Sequence, residues 1–304
     1  MDKRLQDVIG QIEPLDPSAL HAAREKWNAV AKPIGSLGLL EAMVEKIAGL
    51  TGDADVTIDR RAVIVLCADN GVVTQGVSQS GPDITTLIAG SVARGISSVC
   101  KMAHAVGSDA YSVDMGMLDP SVEPGVIDCH IARGTQDISL GPAMSRDQAI
   151  DAIMKGIALV SDFKARGYQM LATGEMGIGN TTTSSAMAAA FLDLPVDTVT
   201  GRGAGLSDAG LERKREAIQR ALEVNNPDSS DALDVLSKLG GFDIAGLAGM
   251  FIGGAMYRIP IVVDGFISAL AAYTAAQLCP GSECAMLASH VSAEPAARML
   301  LERL

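Results

Sequence analysis

Strand-like runs separated by helix-like tracts limit this chain to one kind of architecture. "RAVIVLCAD" (61–69) is an apolar run ending in a polar residue, "DAYSVDMG" (109–116) and "YQMLATGE" (168–175) read as further strands, and "IPIVVDGF" (259–266) as another buried one. A run that is apolar on both faces reads as a buried parallel strand, because a strand facing water on one side alternates with period two. "GVIDCHIA" (125–132) and "CAMLASHV" (284–291) read as further, shorter strands. Helical spacing is found over Ser18–Val30, Leu37–Leu50, about Asp83–Val106 and Arg146–Lys164, with an Ala-rich tract after residue 180. "GLSDAGLERKREAIQRALEV" (205–224) is amphipathic, with Ser207 or Asp208 as its N-cap. Strands alternating with helices predict an α/β fold, a doubly wound parallel sheet with helices on both faces. The N-terminal helices and the charged tail "EPAARMLLERL" are expected to form a small helical lobe (residues 1–55 plus 285–304) beside a large α/β domain (56–284).

Composition excludes several classes of function. The 304 residues carry 24 basic and 36 acidic side chains, a net charge of −12, with no gathered basic patch; nucleic acid and anionic membrane surfaces are therefore not expected partners. The apolar tract Ile244–Met256 is too short and too rich in Gly to span a bilayer. The first residues, "MDKRLQDVIGQIEPLDP", lack the apolar run of a secretory signal, and the five Cys have no CxxC spacing. A soluble, cytoplasmic protein with reduced thiols is expected.

In an open α/β sheet the ligand lies outside the carboxyl ends of the strands. Four polar clusters fall at such ends: "CADNG" (67–71), "TGEMGIGNTT" (173–182), "VDGF" (263–266) and "SHVSAEP" (289–295). In the second, Gly177, Gly179 and Asn180, followed by Thr181 and Thr182, are placed to present backbone N–H groups at a helix start. That pattern suits a phosphate or is an ordinary Gly-rich turn. It matches neither GxxxxGK[ST] nor GxGxxG. "TGRGAGLSD" (200–208) is a second Gly-rich turn feeding a helix; Gly201, Arg202 and Gly203, with Lys214 further along, form a second anion contact or a solvated face. Glu294 reads as a general base with a pKa raised by burial, or as a first-turn residue of the tail helix. Asp264 caps a turn or binds a ribose hydroxyl. No two His residues have zinc-site spacing, and no GxSxG occurs.

Taken in order, "KPIGSLGLLE" (32–41), "ADNGVVTQGVS" (68–78), "GEMGIGNTTTSSA" (174–186), "GRGAGLSDAGLERKREAI" (201–218), "IPIVVDGFISALAA" (259–272) and "SHVSAEPAARML" (289–300) closely resemble the nicotinate-nucleotide–dimethylbenzimidazole phosphoribosyltransferases. The resemblance runs from about residue 26 to the C-terminus. It implies a Rossmann-like domain with a small lobe built from both termini, usually as a homodimer, and no metal or organic cofactor. It also implies a reaction: the 5-phosphoribosyl group of nicotinate mononucleotide moves, with inversion, to a nitrogen of 5,6-dimethylbenzimidazole, giving α-ribazole 5′-phosphate and nicotinate for the lower ligand of cobalamin. By the matching blocks, Glu294 resembles the family's base. Glu175 resembles its second carboxylate, near the ribose. Gly177–Thr182, Gly201–Gly205 and Lys214 resemble the contacts to the nucleotide phosphate.

One departure touches the acceptor. The family commonly has Gly-Asp-His-Gly where this chain has Ala68-Asp69-Asn70-Gly71, and after "GVS" it carries an aromatic and a later Gln where this chain reads "QSGPDITTLI". Ser78, Gln79 and Thr86 are the expected residues of the altered acceptor wall. Two alternatives follow: the same chemistry on a phenolic or purine acceptor, or a catalytically weak homologous subunit of a mixed dimer.

Overall fold

The computed structural model describes residues 2–120 and 123–304. Three helices lead: α1 (Lys3–Ile9), α2 (Pro17–Ala29) and α3 (Leu39–Thr51). There follow β1 (Arg61–Ala68), α4 (Asp83–Ala93), α5 (Ser98–Ala105), β2 (Ser108–Gly116), β3 (Ile127–Asp128), α6 (Arg146–Ala165), β4 (Met170–Met176) and α7 (Asn180–Leu192). The chain closes with α8 (Val196–Val199), α9 (Asp208–Asn225), α10 (Ala232–Leu239), α11 (Phe242–Tyr257), β5 (Ile261–Val263), α12 (Gly265–Leu278), β6 (Met286–Ala288) and α13 (Ala297–Leu301).

Among the described residues six strands form one sheet in the order β3-β2-β1-β4-β5-β6, each pairing parallel. The doubly wound α/β fold expected from the alternation is present. Successive side chains of β1 point to opposite faces: Ile64, Leu66 and Ala68 enter the main core, while Val65 and Cys67 pack in a smaller core with Ala89 of α4. The order reverses between β1 and β4, so a crevice opens there, beyond Ala68 and Met176.

The tract over residues 83–106 is two helices rather than one. Gly95 takes φ +71°, and the Ser97 hydroxyl accepts the backbone N–H of Cys100 to start α5. At the C-terminus β6 pairs with β5, so the lobe boundary expected at residue 285 falls directly before a strand of the sheet; Leu5 and Val8 of α1 are buried in the main core.

The Gly-rich apolar tract Ile244–Met256 lies within α11, in which every residue from Phe242 to Ala255 is buried. Its glycines let it lie against α6 at backbone distance. A Cβ on Gly249 would fall 2.0 Å from the Ile153 carbonyl oxygen, and one on Gly156 would fall 2.1 Å from that of Gly246. Both obstacles are main chain, which cannot rotate away. Gly249→Ala is therefore expected to force the helices apart and to cost about 3 kcal/mol, the upper part of the overpacking range. Urea denaturation checks this: the midpoint should fall with the slope unchanged, and an unchanged midpoint would show that the seam has slack.

Candidate active site

A cavity of about 300 Å³ occupies the crevice between β1 and β4. It is lined by Val77, Ser78, Gln79, Glu175, Met176, Gly177, Ile178, Gly179, Asn180, Thr181, Arg202, Ala204, Leu206 and Ile267. Four separated sequence segments thus meet in one hollow, with Glu175 on its wall.

Local geometry explains the glycines of the β4–α7 turn. Gly179 precedes α7 with φ +94°, a left-handed conformation that glycine adopts without strain. A Cβ on Gly177 would lie 2.6 Å from both the Ala68 carbonyl oxygen and Asp243 Oδ2. Among the described residues no side chain caps α7, and the first turn of the helix borders the cavity with its backbone N–H groups. That is the arrangement an anion needs.

Asn180 ties the floor of the cavity together. Its Nδ2 donates to Glu175 Oε2 and, at 3.0 Å, to Asp243 Oδ2. Burial, then the Asp243 charge, push the Glu175 carboxyl up to about 7. Asp243 is pushed up to about 6, chiefly by burial. Behind them Asp69 is also buried and raised by desolvation; it accepts the Thr85 hydroxyl at 2.6 Å and the Leu118 N–H at 2.8 Å.

A second group of predicted residues meets beside the cavity. The Glu294 carboxylate rests on the turn between α8 and α9: Oε1 accepts the Gly203 N–H at 3.0 Å, while Oε2 is buried without a partner among the described residues. Gly201 has no side chain because a Cβ there would sit 2.1 Å from Glu294 Oε2. Lys214 of α9, fully buried, donates to Thr181 Oγ1 at 3.0 Å and to the Gly201 carbonyl at 3.1 Å. Burial lowers its pKa to about 8, against the opposing pull of Glu294. Thr181 belongs to both groups and joins them.

The remaining predicted residues divide. Ser78, Gln79 and Arg202 line the cavity; the Gln79 amide donates to the Gly205 carbonyl, and the Arg202 guanidinium to Leu206 O and Asp208. Thr86 is not brought there. Its hydroxyl donates to the Asp119 carbonyl, while its neighbour Thr85 faces Asp69. Thr182 is buried within α7, away from the hollow. Asp264 stands before α12 with an exposed side chain, 4.0 Å from His290 Nδ1, and its charge adds to the upward push on Glu175. Asp243, Leu206 and Ile267 were not singled out from the sequence; Asn70 entered only as a departure from the family pattern and Ile178 only within the Gly177–Thr182 loop. For Asp243 a signal existed: it is the lone acid in the otherwise apolar tract 240–255.

Comparison with known proteins agrees with this geometry. A family model described as Phosphoribosyltransferase matches residues 12–304. The nicotinate-nucleotide–dimethylbenzimidazole phosphoribosyltransferase of Acetivibrio thermocellus is 44% identical over 97% of this chain and 84% of its own. The enzyme of the same name from Desulforudis audaxviator is 44% identical over 99% and 85%. The crystal structure of the Thermus thermophilus enzyme of that name superposes with a TM-score of 0.87 at 34% identity, covering 95% of this chain and 86% of that one. With a cavity at the same switch of strand order that its sequence blocks bracket, the chain belongs to the nicotinate-nucleotide–dimethylbenzimidazole phosphoribosyltransferase family.

Proposed function

We propose that this enzyme transfers the 5-phosphoribosyl group of nicotinate mononucleotide to 5,6-dimethylbenzimidazole or a related aromatic base, with inversion at C1′, releasing nicotinate. The observation that carries the reading is an uncapped helix start and Glu175 at one crevice, with the buried Lys214 and Glu294 grouped beside it and joined to it through Thr181. The phosphate is assigned to the α7 N-terminus (Gly177, Gly179, Asn180, Thr181), the Gly201–Gly203 turn and Lys214. Arg202 borders that seat, and Asp264 stands at the ribose edge.

The chemistry follows from the charges. The C1′–N bond to nicotinate breaks with its electron pair going to the pyridinium nitrogen, which leaves neutral and needs no acid. Positive charge builds on the ribose, and the ionised form of Glu175 stabilises it. One ring nitrogen of the acceptor attacks C1′ while the N–H proton of the same ring goes to Glu294, so the base of the product is neutral. Glu294 now holds the Gly203 N–H. The incoming phosphate competes for that donor, which frees the carboxylate to turn toward the acceptor.

The acceptor wall carries Val77, Ile178, Leu206 and Ile267 with Ser78 and Gln79, and no aromatic side chain among the described residues. Such a wall takes a flat apolar ring with limited polar selection, which supports phenols or purines as second acceptors. Incubating nicotinate mononucleotide with a panel of benzimidazoles, purines and phenols, with products identified by mass, tests the reading. A riboside phosphate is expected at least with dimethylbenzimidazole; nicotinate release with no acceptor adduct would refute transfer. A cytoplasmic dimer is part of the same reading. Ile34 (82% exposed) and Leu39 (76%) leave apolar surface in segment 30–40 for a second copy to cover. Among the described residues no helix is long and apolar enough to cross a membrane.

A further inference from the structure

Asp243 has no part in the chemistry above, yet it is placed where a free carboxylate is hardest to keep. Its side chain is fully buried near the start of α11: Oδ2 takes the Asn180 amide at 3.0 Å, Oδ1 has no partner of good hydrogen-bond geometry among the described residues, and the backbone N–H groups of Asp243 and Ile244 offset part of the cost of its charge. Asn70, at the end of β1, is buried beside it with both amide atoms unpaired. The two side chains converge: a Cβ on Gly241 would lie 2.3 Å from Asp243 Oδ1 and 2.5 Å from Asn70 Oδ1. Two buried polar groups that lack partners beside one another would be satisfied by a proton on Asp243 or by the Asn70 amide in its other orientation.

We propose that Asp243 is a positioning residue that acts through Asn180: the shared amide ties the two carboxyls into one unit, and Asp243 thereby fixes both the orientation and the protonation of Glu175. The proposal rests on the function assigned above, because it is Glu175 that faces the ribose.

The surroundings favour one proton in this unit at neutral pH. The charged groups acting on Glu175 are Asp243 and, beyond β5, Asp264, both carboxylates; Asp243 in turn faces Asp69 at the end of β1. Like charges sharing a buried site do not ionise together, and their titrations belong to the pair. A Glu175 that still holds its proton does not repel the incoming phosphate. Once the sugar becomes cationic, its field favours the ionised form of Glu175, with the one proton of the unit residing on Asp243. Asp243 sets where between these states the free enzyme rests.

Asp243→Asn isolates the effect, since the amide has the same shape, accepts from Asn180 and donates to Asn70, but carries no charge. In that variant the inflection near pH 7 in kcat/KM is expected to move down by about one pH unit, with thermal stability retained. In a Glu175→Gln background the same substitution should move nothing further, as a residue acting only through Glu175 requires. An infrared titration of protonated carboxyl groups without substrate gives an independent reading: the band lost near pH 7 in the parent should be lost at lower pH in Asp243→Asn. An inflection and a band that both stay put in Asp243→Asn would overturn the proposal, whatever happens to the maximal rate. If the parent shows no acceptor-dependent release of nicotinate, the functional reading fails instead, and the infrared titration still decides the role of Asp243.

Discussion

Replacing Glu294 by Gln is expected to lower turnover by about 10²–10⁴-fold, the usual worth of a positioned general base, while leaving affinity for nicotinate mononucleotide unchanged or improved. The first half follows from the proton that the acceptor must lose. The second half comes from where the carboxylate now sits. It occupies the Gly203 N–H and lies against Gly201, on the turn assigned to the phosphate, so the free enzyme must give up this hydrogen bond when the nucleotide arrives. Glutamine keeps the shape and removes the negative charge, which eases the approach of a dianion. Single-turnover rates and direct binding of the nucleotide separate the two effects. A variant with full turnover would remove Glu294 from the role of base. A variant whose nucleotide affinity collapsed would instead make Glu294 a binding residue.

The second large effect is expected at Lys214. Lys214→Met should raise the KM for the nucleotide by roughly 30- to 100-fold, in line with about 2–3 kcal/mol for a charge-assisted hydrogen bond in a buried site, with kcat changed much less. Lys214 is fully buried and keeps its charge only by donating to Thr181 Oγ1 and the Gly201 carbonyl, with Glu294 nearby. Burial already lowers its pKa to about 8 in the free enzyme. The sign of the pH dependence follows: below pH 8 the ammonium is present to meet the phosphate, and above it the charge is lost, so affinity should decline as pH rises. Titrating nucleotide affinity between pH 7 and 9.5 checks this. The decline should be present in the parent and absent in Lys214→Met; a parent whose affinity is flat over that range would exclude Lys214 from the phosphate site.

The parts of this molecule that were legible in the sequence are those where local pattern and tertiary demand agree. The β1 run is apolar on both faces because both faces are packed against core, and the polar residues after β1 and at the end of β4 mark the crevice. Two elements misled or were silent for physical reasons. α11 is buried on every side, so it has no amphipathic period to detect, and its glycines, poor helix formers, are there for close approach to α6. The tract 83–106 keeps helical spacing on both sides of a break that only Gly95 and Ser97 betray. At the site, the two Gly-rich turns and both glutamates were visible as motifs. Thr86 and Thr85 are neighbours on α4, and which one faces the site depends on the rotation of that helix over β1 and β2, a tertiary property. Asp243 and Asn70 are over 170 residues apart in the chain and meet only because α11 begins beside the end of β1.

The most direct test of the account is to follow nicotinate release from nicotinate mononucleotide with and without 5,6-dimethylbenzimidazole, and to determine the anomeric configuration of the riboside phosphate by proton NMR. The account predicts release only when the acceptor is present, one riboside phosphate per nicotinate, in the α configuration. Release that proceeds at the same rate without acceptor, or a β product, would contradict it.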